Sequence, residues 1–115
     1  MGKNVVCVGE ILWDIIGDQK HIGGAPFNTA AHLSALGFDT YAVSALGRDE
    51  LGKKAALELE RLGVRADMVA FCDLPTGYAN VFSKPDGTPD FELPLGVAYD
   101  MTRITPELSV EIKEL

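Results

Sequence analysis

Asp14, the pair Gly23-Gly24 and Asn28 lie near one another in the sequence and share one kind of chemistry. A carboxylate accepts two hydroxyl hydrogen bonds at once, and a carboxamide both donates and accepts. Paired glycines let backbone amides approach a ligand closely, and the first turn of a helix adds unpaired N–H donors. Together these groups suit a polyhydroxylated small molecule. The plainer reading of the same residues is a tight turn followed by a capped helix. His32 stands one helical turn beyond Asn28 with no acidic or nucleophilic partner in sequence, so it reads as a solvated or structural histidine.

These groups need strands and helices to hold them. Val5-Val6-Cys7-Val8 is an apolar run ending at Gly9 and reads as a central strand, buried on both faces as in parallel sheets. Ile11 to Ile16 is strand-like, and Gly17-Asp18 can turn it toward Ile22 and the glycine pair. Pro26 to Leu36 predicts a helix with Pro26 in its first turn, a face of Phe27, Ala30, Ala31, Ser34 and Ala35, and Gly37 as the stop. Thr40 to Leu46 predicts a second strand. Asp49 caps a helix whose apolar face is Leu51, Ala55, Leu59 and Leu62, ended by Gly63.

Val69 to Phe71 predicts a short strand, and Tyr78–Ser83 with Phe91–Leu93 predicts a hairpin across Pro85-Asp86-Gly87-Thr88. Tyr78, Asn80 and Phe82 alternate onto one face of that hairpin. Trp13, next to Asp14, points to the opposite face of its strand and reads as packing. Thr105-Pro106-Glu107 opens a last helix toward Leu115. Strands alternating with helices imply an α/β fold with a parallel sheet.

Composition narrows the classes. The 115 residues are 47% hydrophobic and 23% charged, a globular balance. The formal charge of −7 and the absence of any basic run longer than Lys53-Lys54 argue against a nucleic-acid partner. The two cysteines, Cys7 and Cys72, have neither metal-ligand nor redox spacing, and Cys7 reads as a small core hydrophobe. No apolar stretch is long enough to span a membrane, and the N-terminus opens into a strand, which makes the cytoplasm the default compartment. A dinucleotide-binding loop is excluded because no G-x-G-x-x-G follows the first strand, and no P-loop motif occurs.

The run Gly23-Gly24-Ala25-Pro26-Phe27-Asn28-Thr29-Ala30-Ala31-His32-Leu33-Ser34-Ala35-Leu36-Gly37 resembles the first signature of the PfkB/ribokinase family of carbohydrate kinases, with Ala25-Pro26 pointing to its fructokinase-like members. Gly9-Glu10, Asp14 and Gly47-Arg48-Asp49-Glu50-Leu51-Gly52 fit the same resemblance, which covers the chain in order. It implies the N-terminal part of a ribokinase-like α/β fold, with a small β lid formed by segments of about 11–24 and 76–98. It implies ATP-dependent phosphorylation of a sugar hydroxyl, with Mg2+, by the complete enzyme, and a sugar held by Asp14, Gly23, Gly24 and Asn28.

Tyr78, Asn80 and Phe82 become possible lid contacts to the sugar. The family's catalytic base and anion hole sit in a Gly-Ala-Gly-Asp-like motif, which is absent here. The expectation is therefore a chain with no catalytic residue, no metal site and no nucleotide-binding part, inactive alone. The resemblance also implies a homodimer through the lid, or self-association. The alternative is a non-enzymatic sugar-binding or dimerising module. Ala98-Tyr99-Asp100 lacks the upstream arginine of many fructokinase-like relatives, so the expected substrate is a sugar or closely related polyol rather than fructose specifically.

Overall fold

The computed structural model describes residues 3–115. Its backbone builds two sheets. The first holds β1 (Asn4–Val8), β4 (Asp39–Gly47) and β5 (Val69–Cys72) in the order β1-β4-β5, all parallel. The second holds β2 (Leu12–Ile16), β3 (Gln19–Gly23), β6 (Gly77–Ser83) and β7 (Pro89–Glu92) in the order β3-β2-β6-β7. Two antiparallel hairpins, β2–β3 and β6–β7, are joined in it by a parallel seam between β2 and β6. Helices α1 (Ala25–Ala35), α2 (Glu50–Arg61) and α3 (Pro106–Lys113) connect or follow these strands, with a 3-10 turn at Ala98–Met101.

The central strand is β4, not β1. Thr40 through Gly47 are all buried, whereas β1 pairs on one side only among the described residues and leaves Val8 47% exposed. The Val5–Val8 run is apolar enough for a sheet interior, but the part of the sheet described here leaves its second edge without a neighbour.

One face of the three-stranded sheet packs on α1 and α2 through Cys7, Ala42, Leu46, Phe27, Ala30, Ala55 and Leu59. On the other face Tyr41, Val43 and Met68 meet Leu108 and Ile112 of α3. Burial pushes the Cys7 thiol up from its ordinary value, consistent with an inert core residue.

The helices start and stop where residue chemistry requires. Asp49 caps α2 by accepting from the Gly52 N–H at 2.9 Å, and Thr105 caps α3 by accepting from the Leu108 N–H at 3.1 Å. Gly37, at φ +95°, ends α1, with the Phe38 N–H returning to the Leu33 carbonyl.

The second hairpin departs from the sequence expectation, because β7 is Pro89–Glu92 rather than Phe91–Leu93. Its turn closes early. The Lys84 N–H bonds to the Thr88 carbonyl at 2.8 Å, and Asp86 accepts from both the N–H and the hydroxyl of Thr88, so pairing resumes at once with Ser83 opposite Pro89.

Candidate functional site

Strand register decides which side chains of the four-stranded sheet share a face. Leu12 lies opposite Gly23 on β3 and Gly77 on β6, and Asp14 lies opposite His21 and Ala79. Directly paired residues share a face, so Leu12, Asp14, Gly23, Gly77 and Ala79 line one side. Trp13, Ile22, Tyr78 and Asn80 line the other by the same rule.

Asp14 and Gly23 are therefore brought together. The Asp14 carboxylate lies over the gap that the missing Gly23 side chain leaves, 2.9 Å from where a Cβ would stand. Asp14 is half-buried, and its carboxylate has no hydrogen-bond partner among the described residues. It is an acceptor still available to a ligand.

Gly24 follows at the N-cap of α1 with φ +102°, a conformation that favours glycine. A Cβ at Gly24 would overlap the Glu10 carbonyl oxygen, so the loop after β1 presses directly on the start of α1. Asn28 lies in that first turn, with its N–H bonded to the Gly24 carbonyl at 3.0 Å and its side chain exposed. The strand carboxylate, the glycine backbone and the helix-start carboxamide thus lie along one short path of chain.

Tyr78, Asn80 and Phe82 are not on this face. With Tyr78 opposite Trp13 and Asn80 opposite Ile15, period-two alternation carries all three to the side away from Asp14. Tyr78 packs against the core with Trp13, and the Trp13 indole N–H donates to the Leu51 carbonyl at 3.0 Å. Trp13 thus packs as its strand position implies. A hollow of about 560 Å3 lined by Trp13, Lys20, His21, Ile22, Lys54, Leu57 and Glu58 contains none of the candidate site residues.

A second constellation, of which the sequence shows only Asp49 as a helix cap and part of a motif, ties the two sheets together. Thr76, just before β6, is gripped by Asp49 at the start of α2. One carboxylate oxygen accepts from the Thr76 hydroxyl at 2.6 Å and the other from the Thr76 N–H at 2.9 Å. The Thr76 hydroxyl in turn accepts from the Gly47 N–H at 2.9 Å. Gly52 is glycine because a Cβ there would run into the Gly47 carbonyl. Burial alone would raise the Asp49 carboxyl, but the Thr76 hydroxyl, the Thr76 N–H and the Gly52 N–H together outweigh it and hold the group below its ordinary value.

Among the described residues no three His, Cys, Asp or Glu side chains converge as a metal site, and no helix is long and apolar enough to cross a membrane.

Comparison with known proteins shows the family and the fold. The family model described as pfkB family carbohydrate kinase matches residues 3–111. A fructokinase of Solanum tuberosum is 31% identical over 121 positions, taking in 94% of this chain and 38% of that protein. Fructokinase-1 of Zea mays is 36% identical with the same coverage of both chains.

Among solved structures, the fructokinase of Xylella fastidiosa with bound ATP superposes with a TM-score of 0.81 at 27% identity, over 90% of this chain and 34% of that one. An uncharacterized sugar kinase from Pyrococcus horikoshii gives 0.77 at 30% identity, over 84% of this chain and 36% of its own. The chain spans 38% of the length of the two plant fructokinases it matches.

Proposed function

Because this chain belongs to the pfkB family of carbohydrate kinases and has its ribokinase-like fold, we propose that it supplies the sugar-binding part of an ATP-dependent carbohydrate kinase. In this reading residues 1–115 form that part, and the lid segments are about 11–24 and 76–98. Asp14 accepts hydrogen bonds from sugar hydroxyls. The Gly23-Gly24 backbone lets the sugar approach closely, and Asn28 donates and accepts at the start of α1. The substrate class is a sugar or closely related polyol. The single observation that carries the proposal is the half-buried Asp14 carboxylate, without a protein partner, over the Gly23 gap beside the N-terminus of α1. A half-buried acceptor of this kind suits a ligand that brings hydroxyl donors.

ATP and Mg2+ belong, in this proposal, to the complete enzyme. The described residues offer no converging metal ligands, and the chain contains no Gly-Ala-Gly-Asp-like helix start, so no catalytic step is assigned to a residue of this chain. What these residues do is bind and orient the acceptor hydroxyl. That orientation is a large part of phosphoryl-transfer catalysis, because the protein contributes mainly positioning and electrostatics to it.

Calorimetric titration of the 115-residue chain with D-fructose, D-ribose and D-tagatose tests the reading. The expected result is binding of at least one sugar. Asp14→Ala should weaken it by about 1–3 kcal/mol, and Asn28→Ala by less, because the carboxylate's bonds are charge-assisted. Unchanged affinity in both variants would place the sugar elsewhere.

A further inference from the structure

The face that carries Asp14 holds a second filled glycine gap. Gly23 and Gly77 flank Leu12 in register, one on each side. The Asp14 carboxylate fills the first gap. The edge of the Tyr99 ring fills the second, and a Cβ at Gly77 would overlap its Cδ2 and Cε2. Asp14 and Tyr99 therefore stand on the same side of the lid, with Leu12 between them.

Tyr99 is built into this place. The Ala98 N–H bonds to the Pro75 carbonyl at 2.7 Å, and the Ala98 side chain is fully buried. The Asp100 carboxylate accepts from the Gly96 N–H at 3.0 Å and from the Val97 N–H at 3.3 Å. The Thr102 hydroxyl donates to the Tyr99 carbonyl at 2.7 Å. The backbone is thus fixed on both sides of Tyr99, while the phenol hydroxyl has no hydrogen-bond partner among the described residues.

We infer that Tyr99 is a substrate-contacting residue of the same site, offering the sugar a ring face and a phenol hydroxyl at the end opposite Asp14. The inference rests on the proposed reading that this face of the lid holds the sugar. The Glu10 carbonyl oxygen lies against Gly24 at the Asp14 end of this face. Burial first, and then the Asp100 and Glu10 carboxylates, push the Tyr99 phenol up from its ordinary value, so it stays protonated and can both donate and accept. An aromatic face suits the C–H surface of a sugar, and the hydroxyl adds selectivity for one substituent. A site built around a hydroxyl partner discriminates strongly against a ligand that lacks it.

The test is titration of the 115-residue chain with D-fructose, D-ribose and D-tagatose, with the tyrosine rings 13C-labelled and observed by NMR. Tyr99→Phe and Tyr99→Leu are compared with Asp14→Ala. Tyr99→Phe keeps the ring over Gly77, so its melting temperature should match the parent. The Tyr99 ring resonances should move on sugar addition. Tyr99→Phe should lower affinity for the best sugar about tenfold, and Tyr99→Leu further.

Parent-like affinity in both Tyr99 variants, with binding lost in Asp14→Ala, would overturn the role of Tyr99 and leave the Asp14 site standing. Parent-like affinity in all three variants would overturn the site reading itself. A parent chain that responds to none of the three sugars would overturn both.

Discussion

Asp49 holds Thr76 with both carboxylate oxygens, one on the hydroxyl and one on the backbone N–H. This pair joins the start of α2 to the start of β6, and therefore joins the parallel sheet to the lid. The next residue is Gly77, over which Tyr99 lies. The capping of a core helix and the start of β6 are thus parts of one hydrogen-bonded unit. Thr76→Val keeps the side-chain shape but removes the hydroxyl, leaving the Gly47 N–H without its partner and Asp49 Oδ1 with only the Gly52 N–H. The expected cost is about 1–3 kcal/mol, read as a lower denaturant midpoint with an unchanged slope. A midpoint equal to the parent's would show that the unit is not a stabilising one.

The same carboxylate makes stability depend on pH. Its folded-state pKa lies below the unfolded one, so its contribution is fully present above the unfolded value and is lost as pH falls through the folded one. Thermal melts taken from neutral pH down through the carboxylate range should show a fall in melting temperature, which Asp49→Asn makes shallower. Asn still accepts at one oxygen and still caps α2, so the variant should fold. Equal slopes for the two proteins would remove Asp49 from the acid response.

Gly24 is under backbone as well as ligand constraint. With φ +102° and the Glu10 carbonyl against it, any side chain there is strained and displaces the loop after β1. The geometry predicts that even Gly24→Ala lowers stability by about 1–3 kcal/mol, in addition to any effect on sugar binding. Chemical denaturation of Gly24→Ala checks this, and a midpoint equal to the parent's would remove the backbone constraint. Gly17→Ala serves as a comparison, because Gly17 also has positive φ but nothing within 4 Å of its Cβ position.

Much of this architecture was legible because local chemistry and tertiary packing agree. Asp49 and Thr105 cap the helices they precede, Gly37 ends α1, and the apolar run of β4 is as buried as it reads. Three things were not legible. β3 is Gln19–Gly23, whose polar Gln19, Lys20 and His21 carry no strand signal and are exposed. Its strand character comes from pairing with β2. The faces of the lid depend on the parallel register of β2 with β6, a long-range pairing that alternation within one hairpin cannot reveal. This is why alternation within one hairpin suggests Tyr78, Asn80 and Phe82 as lid contacts although the register sets them on the side away from Asp14, while Tyr99, in a 3-10 turn outside any strand, carries no such signal. The exchange of β1 for β4 at the centre of the sheet has the same origin, because an apolar run reports burial potential and not the number of neighbouring strands.

The open edge of β1 gives the last prediction. Among the described residues β1 pairs only with β4, so its other backbone edge has no partner, and Val8 at its end is 47% exposed. Exposed strand edges template pairing with another chain, and apolar surface beside them strengthens the contact. The 115-residue chain in solution should therefore self-associate, with a weight-average mass in sedimentation equilibrium that rises with concentration. Val8→Lys places a charge at the exposed end of the edge, the device natural sheets use against such pairing. It should shift the association to higher concentration without lowering the melting temperature, because surface substitutions of this kind change stability by about 0.5 kcal/mol or less. A chain that stays monomeric at every concentration and melts cooperatively would show that this edge is closed in solution by contacts other than strand pairing between copies.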